Sequence, residues 1–181
     1  MDAPQPRPAR KRREPPKPKP IDEGYLRRAA LHYVERFGTS AQNLARVLER
    51  KAKRRAQVRT LTEDEARMIA STVATAISAG VVDDAAYARS KTGGLIRKGA
   101  SERTILSKLR QKGVDADTAK ASLPEAGIDE MAQALRLAQR KRLGPFRDKP
   151  DAKRRERDIA SLARAGFSYR TATAVIDGGG S

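Results

Sequence analysis

The sequence predicts an all-α chain of three tandem three-helix repeats forming an elongated, curved array, preceded by a disordered, basic, Pro-rich N-terminal arm. Three observations carry this. Apolar residues recur at spacings of three and four from Tyr25 onward, which marks helices that bury one face. Those stretches are bounded by capping residues and glycines, the start and stop signals of short helices. Internal registers lay several of them on one another, as a repeat architecture requires. With 38% hydrophobic residues, 4% aromatics and no Trp, the layers must be thin and built from Ala, Leu, Ile and Val. The expected organisation is an arm over 1–21, repeats over 22–82, 83–124 and 125–177, and a flexible tail over 178–181.

Seven of the ten prolines precede Ile21, interleaved with Arg7, Arg10, Lys11, Arg12, Arg13, Lys17 and Lys19. Proline lacks an N–H and restricts the residue before it, so this arm cannot be helical. Tyr25 to Phe37 sets Leu26, Ala29, Ala30, Tyr33, Val34 and Phe37 on one stripe. Ser40 caps a second helix carrying Leu44, Val47 and Leu48. Thr62 and Glu65 form a capping box for a third, which runs through Ile69, Val73 and Ile77 to Gly80. Asp83 caps a fourth with Tyr87, Ala88, Leu95 and Ile96, and a bend or break is expected at Gly93-Gly94, each costing about 1 kcal/mol relative to alanine. Ser101 opens a fifth with Ile105, Leu106 and Leu109, closed by Gly113. Asp115 or Asp117 opens a sixth that stops at Pro124, and Asp129 to Arg142 forms a seventh. The eighth is expected from about Asp151 to Ala165 and the ninth from Ser168 to about Asp177.

Laying Ser40 on Ser101 carries Arg36 onto Arg97, Gly38 onto Gly99, Leu44 onto Ile105 and Leu48 onto Leu109. Laying Gly113 on Gly166 carries Leu106 onto Ile159, Leu109 onto Leu162, Val114 onto Phe167 and Thr118-Ala119 onto Thr171-Ala172. Stacking of three such units is expected to bury one continuous, thin seam.

Lysine and arginine total 39 against 22 acids, a net charge of +17, so the surface attracts polyanions. Arg46, Arg50, Lys51, Lys53, Arg54, Arg55 and Arg59 face a single acid, Glu49, and read as an uncompensated contact face. Arg97, Lys98, Arg103, Lys108, Arg110 and Lys112 are further candidate partner- or DNA-binding residues in the middle of the chain. A third cluster joins Arg140, Lys141 and Arg142 through Lys149 to Lys153, Arg154 and Arg155. Few aromatics interleave the cations, which favours phosphate or acidic-surface contact over base stacking.

The absence of cysteine removes disulfides, zinc-thiolate sites and thiol nucleophiles. His32 is the lone histidine, Asp83-Asp84 reads as a helix cap, and no catalytic triad, phosphate loop or HExxH occurs. The chain reads as a non-enzyme without cofactor, catalytic or metal site. No apolar run reaches the roughly 18 residues of a membrane span. A cytoplasmic monomer is expected.

Asp83-Asp84-Ala85-Ala86-Tyr87-Ala88, then Gly99 to Gly113 (GASERTILSKLRQKG), then Leu162-Ala163-Arg164-Ala165-Gly166-Phe167-Ser168 resemble the signatures of the RecX family, in the family's order, within a likeness that spans Tyr25 to Ile176. The chain departs from the family at Lys108, where members often carry Glu, and at Arg36-Phe37-Gly38-Thr39, where they carry an Arg-rich turn. The resemblance implies a regulator of the RecA recombinase that lies in the groove of the RecA–DNA filament. There it would oppose filament growth, strand exchange and co-protease activity, with a role in DNA repair, recombination and the SOS response. The rival reading is a general nucleic-acid-binding helical-repeat protein acting on DNA or ribosomal RNA.

Overall fold

The computed structural model describes residues 17–147 and 152–178, and every statement below concerns these. Most of the arm, Lys149, Asp151 and the last three residues of the tail lie outside them. The described residues form nine α-helices: α1 (Glu23–Arg36), α2 (Ala41–Ala56), α3 (Glu63–Ser78), α4 (Asp84–Arg97), α5 (Glu102–Gln111), α6 (Ala116–Ala121), α7 (Glu130–Lys141), α8 (Arg155–Arg164) and α9 (Tyr169–Ile176). Short 3₁₀ turns at Gly144–Phe146 and Ala152–Arg154 lie between α7 and α8.

Caps set the starts. Asp22, Ser40, Thr62, Asp83, Ser101, Asp115, Asp129 and Ser168 each accept a first-turn amide through a side-chain oxygen. At Thr62 the Glu65 carboxylate returns the bond, accepting the Thr62 amide at 2.8 Å. Helix α8 differs: it starts at Arg155 behind Arg154, which makes no side-chain cap, so the expected start near Asp151 is too early.

The helices pack in threes: α1 with α2 and α3, α4 with α5 and α6, α7 with α8 and α9. Each triplet encloses its own apolar cluster, around Leu26, Leu44 and Leu48, around Ile105 and Leu109, and around Leu162 and Val175. The expected continuous seam is therefore wrong. Apolar side chains are spent inside each triplet, and the triplets meet through polar groups at helix ends.

Those joints follow one pattern. Ser40, the cap of α2, donates its hydroxyl to the Lys112 carbonyl at the end of α5. Ser101, the cap of α5, donates to the Ala165 carbonyl at the end of α8 at 2.7 Å, and Thr104 donates to the same oxygen at 2.7 Å. The positive start of one helix thus sits on the negative end of the next, a favourable pairing of helix dipoles. Asp84 accepts the Ala41 amide at 2.8 Å, and Arg136 donates to the Ile96 carbonyl at 3.2 Å. Close approach needs glycine at Gly99, where φ is +68° and a Cβ would lie 2.7 Å from the Leu137 backbone nitrogen.

Three further expectations change. Helix α4 runs unbroken through Gly93-Gly94, because capping by Asp83 and burial of Tyr87, Ala88 and Thr92 hold its turns against the glycine penalty. Phe37 and Ile77, placed on apolar stripes, are 52% and 48% exposed, at the last turns where each helix leaves its triplet. Ile21, assigned to the arm, packs into the first cluster, and the Lys19 amide donates to the Arg55 carbonyl at 3.0 Å.

Leu48, Leu109 and Leu162 occupy one register position and are 0%, 1% and 0% exposed, whereas Glu49, Arg110 and Ala163 beside them face solvent. Truncating Leu109 to alanine is expected to cost about 2–5 kcal/mol, and Arg110→Ala less than about 0.5 kcal/mol, read from paired thermal melts. At the joint, Ser101→Ala removes a cap and the bond to Ala165 together. Its expected cost is about 1–2 kcal/mol, a lowering of the melting midpoint by several degrees that Ser101→Thr largely restores.

Candidate polyanion-binding surface

The cationic residues separate into those the chain uses for itself and those it leaves to solvent. On α2, the Arg46 guanidinium donates to the Gln111 carbonyl at 3.0 Å and to Gln42 Oε1 at 2.9 Å, bridging to the end of α5. Lys53 pairs with Glu49 at 2.6 Å. Arg55 donates to the Pro20 carbonyl at 2.7 Å, lies 4.2 Å from the centre of the Tyr25 ring and reaches Asp22 at 3.8 Å. The α2 cluster is thus less uncompensated than its sequence suggests. Carbonyls, a ring and the acids Glu49 and Asp22 satisfy three of its members, leaving Arg50, Lys51 and Arg54 on α2 and Arg59 just beyond it.

In the third triplet, Arg155 makes a two-pronged ion pair with Asp177, both bonds 2.7 Å, clasping α8 to the end of α9. That bond holds the Asp177 carboxyl below its ordinary range and the Arg155 guanidinium above its own. Arg142 closes α7 in a left-handed conformation (φ 53°), and Arg142, Lys153 and Arg154 engage other groups of the chain. Arg140 and Lys141 remain exposed on the last turn of α7.

The middle triplet is different. A groove of about 490 Å³ runs between α4 and α5, lined by Tyr87, Ser90, Lys91, Gly94, Leu95, Lys98, Lys108, Leu109, Gln111 and Lys112. No acid lines it. Gly94 leaves its wall open where a side chain would intrude. Lys91 places its ammonium 5.5 Å from the centre of the Tyr87 ring. Burial, with smaller contributions from Tyr33 and Asp84, pushes the Tyr87 hydroxyl above the ordinary phenol range. On the other side of α5 a second groove, about 380 Å³, is lined by Arg103, Thr104, Ser107, Lys108, Gln111, Ala163, Arg164 and Gly166. Lys108 and Gln111 border both, so α5 forms a ridge with a cationic trough on each flank. Arg97 and Arg110 are exposed on the same triplet but line neither groove.

Sequence reasoning named Lys98, Arg103, Lys108 and Lys112 and missed Lys91 and Arg164. The signal was present. Lys91 and Lys98 lie two turns apart on α4, and Lys108 and Lys112 one turn apart on α5, so each pair shares a face. Among the described residues no helix is long and apolar enough to cross a membrane, and no group of His, Cys, Asp and Glu could hold a metal ion.

Comparison with known proteins places this architecture. The chain is 38% identical over 173 residues to the regulatory protein RecX of Myxococcus xanthus (strain DK1622), covering 93% of this chain and 92% of that protein. The chain belongs to the RecX family. The model of the second three-helix domain of RecX matches residues 83–123, the triplet that holds the α4–α5 groove. The crystal structure of RecX from Lactobacillus salivarius shares the fold at 19% identity, with a TM-score of 0.59 over 86% of this chain and 95% of that one. A crystal structure of another regulatory protein RecX does so at 19% identity, with a TM-score of 0.61 over 86% of this chain and 71% of that one.

The division between used and unused cations has a direct check. Arg55→Ala is expected to destabilise the fold by about 1–2 kcal/mol, because it frees the Pro20 carbonyl and the Tyr25 face, while Arg54→Ala stays within about 0.5 kcal/mol. Denaturant midpoints measured on the two variants compare them directly.

Proposed function

We propose that this RecX-family chain regulates a RecA recombinase by binding the RecA–DNA filament and limiting its growth, strand exchange and co-protease activity. Family membership across 93% of the chain carries the reading. The surface supports it. A filament of protein on DNA presents phosphates and acidic side chains along a groove, and a row of triplets with unpaired cations is suited to lie in it. The action needs no covalent step: a bound chain blocks sterically, and its charge supplies the attraction. The cytoplasm, where RecA and DNA meet, is the compartment this role requires, and the chain is assigned to act there as a monomer. The cations left over on α2, Arg50, Lys51 and Arg54, are assigned to the filament contact.

The rival, a general nucleic-acid-binding protein, draws on the same charge. Immobilised chain offered RecA alone, DNA alone and RecA–DNA filament separates them. Capture of RecA both with and without DNA, together with slower filament growth by light scattering, is the expected outcome, whereas capture of DNA with no affinity for RecA favours the rival. Replacing Arg50, Lys51 and Arg54 by Glu is expected to weaken filament capture at least several-fold while leaving the thermal melt unchanged. Wild-type capture by that variant removes α2 from the contact.

A further inference from the structure

The middle triplet holds cations that neither its own fold nor the repeat requires. The three triplets share a register, so each serves as a control on the others. Carrying α4 and α5 back onto α1 and α2 places Lys91 on Ala30, Lys98 on Phe37 and Lys108 on Val47, and only Lys112 meets a cation, Lys51. Carrying α5 forward onto α8 places Lys108 on Ser161 and Lys112 on Ala165. The same helix pair therefore folds without these lysines. Ala30 packs in the first cluster and Val47 is buried, while in the middle triplet the matching Lys91 and Lys108 are exposed beside a groove of about 490 Å³.

Several like charges around one concavity with no acid in its lining repel one another, and an anion in the groove relieves that repulsion. The chemistry of the lining narrows the anion. Recognition of carboxylates favours the planar fork of arginine, and the α4–α5 groove contains no arginine. Lysines act as mobile point charges suited to closely spaced phosphates, and the Ser90 hydroxyl and Gln111 amide add neutral hydrogen-bond donors. Tyr87 is the one aromatic in the lining, 8% exposed and overlain by Lys91, so no platform exists on which a base could stack. What remains is contact with a backbone, blind to sequence.

We propose that the α4–α5 groove is a binding site for the sugar–phosphate backbone of a nucleic acid. Lys91, Lys98, Lys108 and Lys112 contact the phosphates, and the α5–α8 groove continues the track across the joint to the third triplet. This goes beyond the filament reading, because it holds for nucleic acid free of any recombinase.

The test omits RecA, so its failure leaves the filament reading standing. Anisotropy of a labelled 30-residue oligothymidylate is titrated with the full chain over a range of salt. Lys98→Ala/Lys108→Ala/Lys112→Ala is compared with Arg27→Ala/Arg28→Ala/Arg59→Ala, which removes the same charge from exposed positions of the first triplet outside the α2 contact. The groove variant is expected to bind at least ten-fold more weakly, with the slope of log K against log salt shallower by about 2, since each single-strand phosphate contact contributes about 0.7. The matched variant is expected to lose less than about three-fold. Equal losses in both would mean that net charge alone binds the oligonucleotide and would overturn the site, as would wild-type affinity in the groove variant. Lysine-selective acetylation of the wild-type chain provides a second measure that needs no substitution. The oligonucleotide is expected to protect Lys91, Lys98, Lys108 and Lys112. Labelling at an unchanged rate, or equal protection by polyglutamate of matched charge, would sink the assignment to a nucleic-acid backbone.

Discussion

One contact recurs where the triplets meet: the hydroxyl of a capping serine, satisfied on one side by its own helix and on the other by the last carbonyls of the next triplet's second helix. Ser40 and Ser101 both do this. Orphan amides at one helix start and orphan carbonyls at another helix end are the unavoidable debts of short helices. The nine short helices of the described residues have many of them, and pairing start against end settles two at once. The array can therefore extend without a shared apolar core, which a composition so poor in large aromatic residues could hardly build.

The two joints are not equivalent. Between the second and third triplets, Gly99 brings its backbone against that of α7, closer than any side chain would permit, and Thr104 doubles the bond to Ala165. Between the first and second, the corresponding Gly38 has room, since a Cβ there would lie 3.9 Å from the Tyr87 ring, and beside the Ser40–Lys112 and Asp84–Ala41 bonds the joint relies on long side chains, Arg46 on the Gln111 carbonyl and Gln42 against Gly113. Backbone cannot yield and side chains can. The physical expectation is a stiff pair of triplets with a more compliant first one.

Most of the fold could be read from residues with strong local rules. Ser40, Thr62, Asp83, Ser101, Asp115, Asp129 and Ser168 marked helix starts because their side chains compete for amides nowhere else so well, and the leucine register gave the repeats. What stayed hidden depends on tertiary packing. Gly93-Gly94 suggested a break because propensity is a local quantity, while the buried face of α4 decides the outcome. Ile21 was placed in the arm because the prolines before it dominate the composition. The separation of the apolar residues into three clusters had no sequence signal, since periodicity shows that a face is buried and not against what. The candidate site was legible in part. Charge runs located cations, but Arg46, Arg55 and Arg155 stand in those runs for structural reasons that appear only once Gln111, Pro20 and Asp177 are beside them.

The same comparison shows why the middle triplet carries unpaired charge at small cost. A lysine at a position that is buried in the first triplet would have to be desolvated, at a penalty of several kcal/mol for an unpaired ion. In the middle triplet Tyr87 takes the place of Leu26, and its larger ring lies 5.5 Å from the Lys91 ammonium at the surface. Gly94, one turn on along α4, keeps that wall low. Each cation then stays hydrated at the edge of an apolar floor formed by Leu95 and Leu109, exposed enough to be stable and close enough to its neighbours for their fields to add. Repeat architecture permits this local departure because each triplet closes its own core, so a substitution that suits one groove leaves the packing of the others untouched.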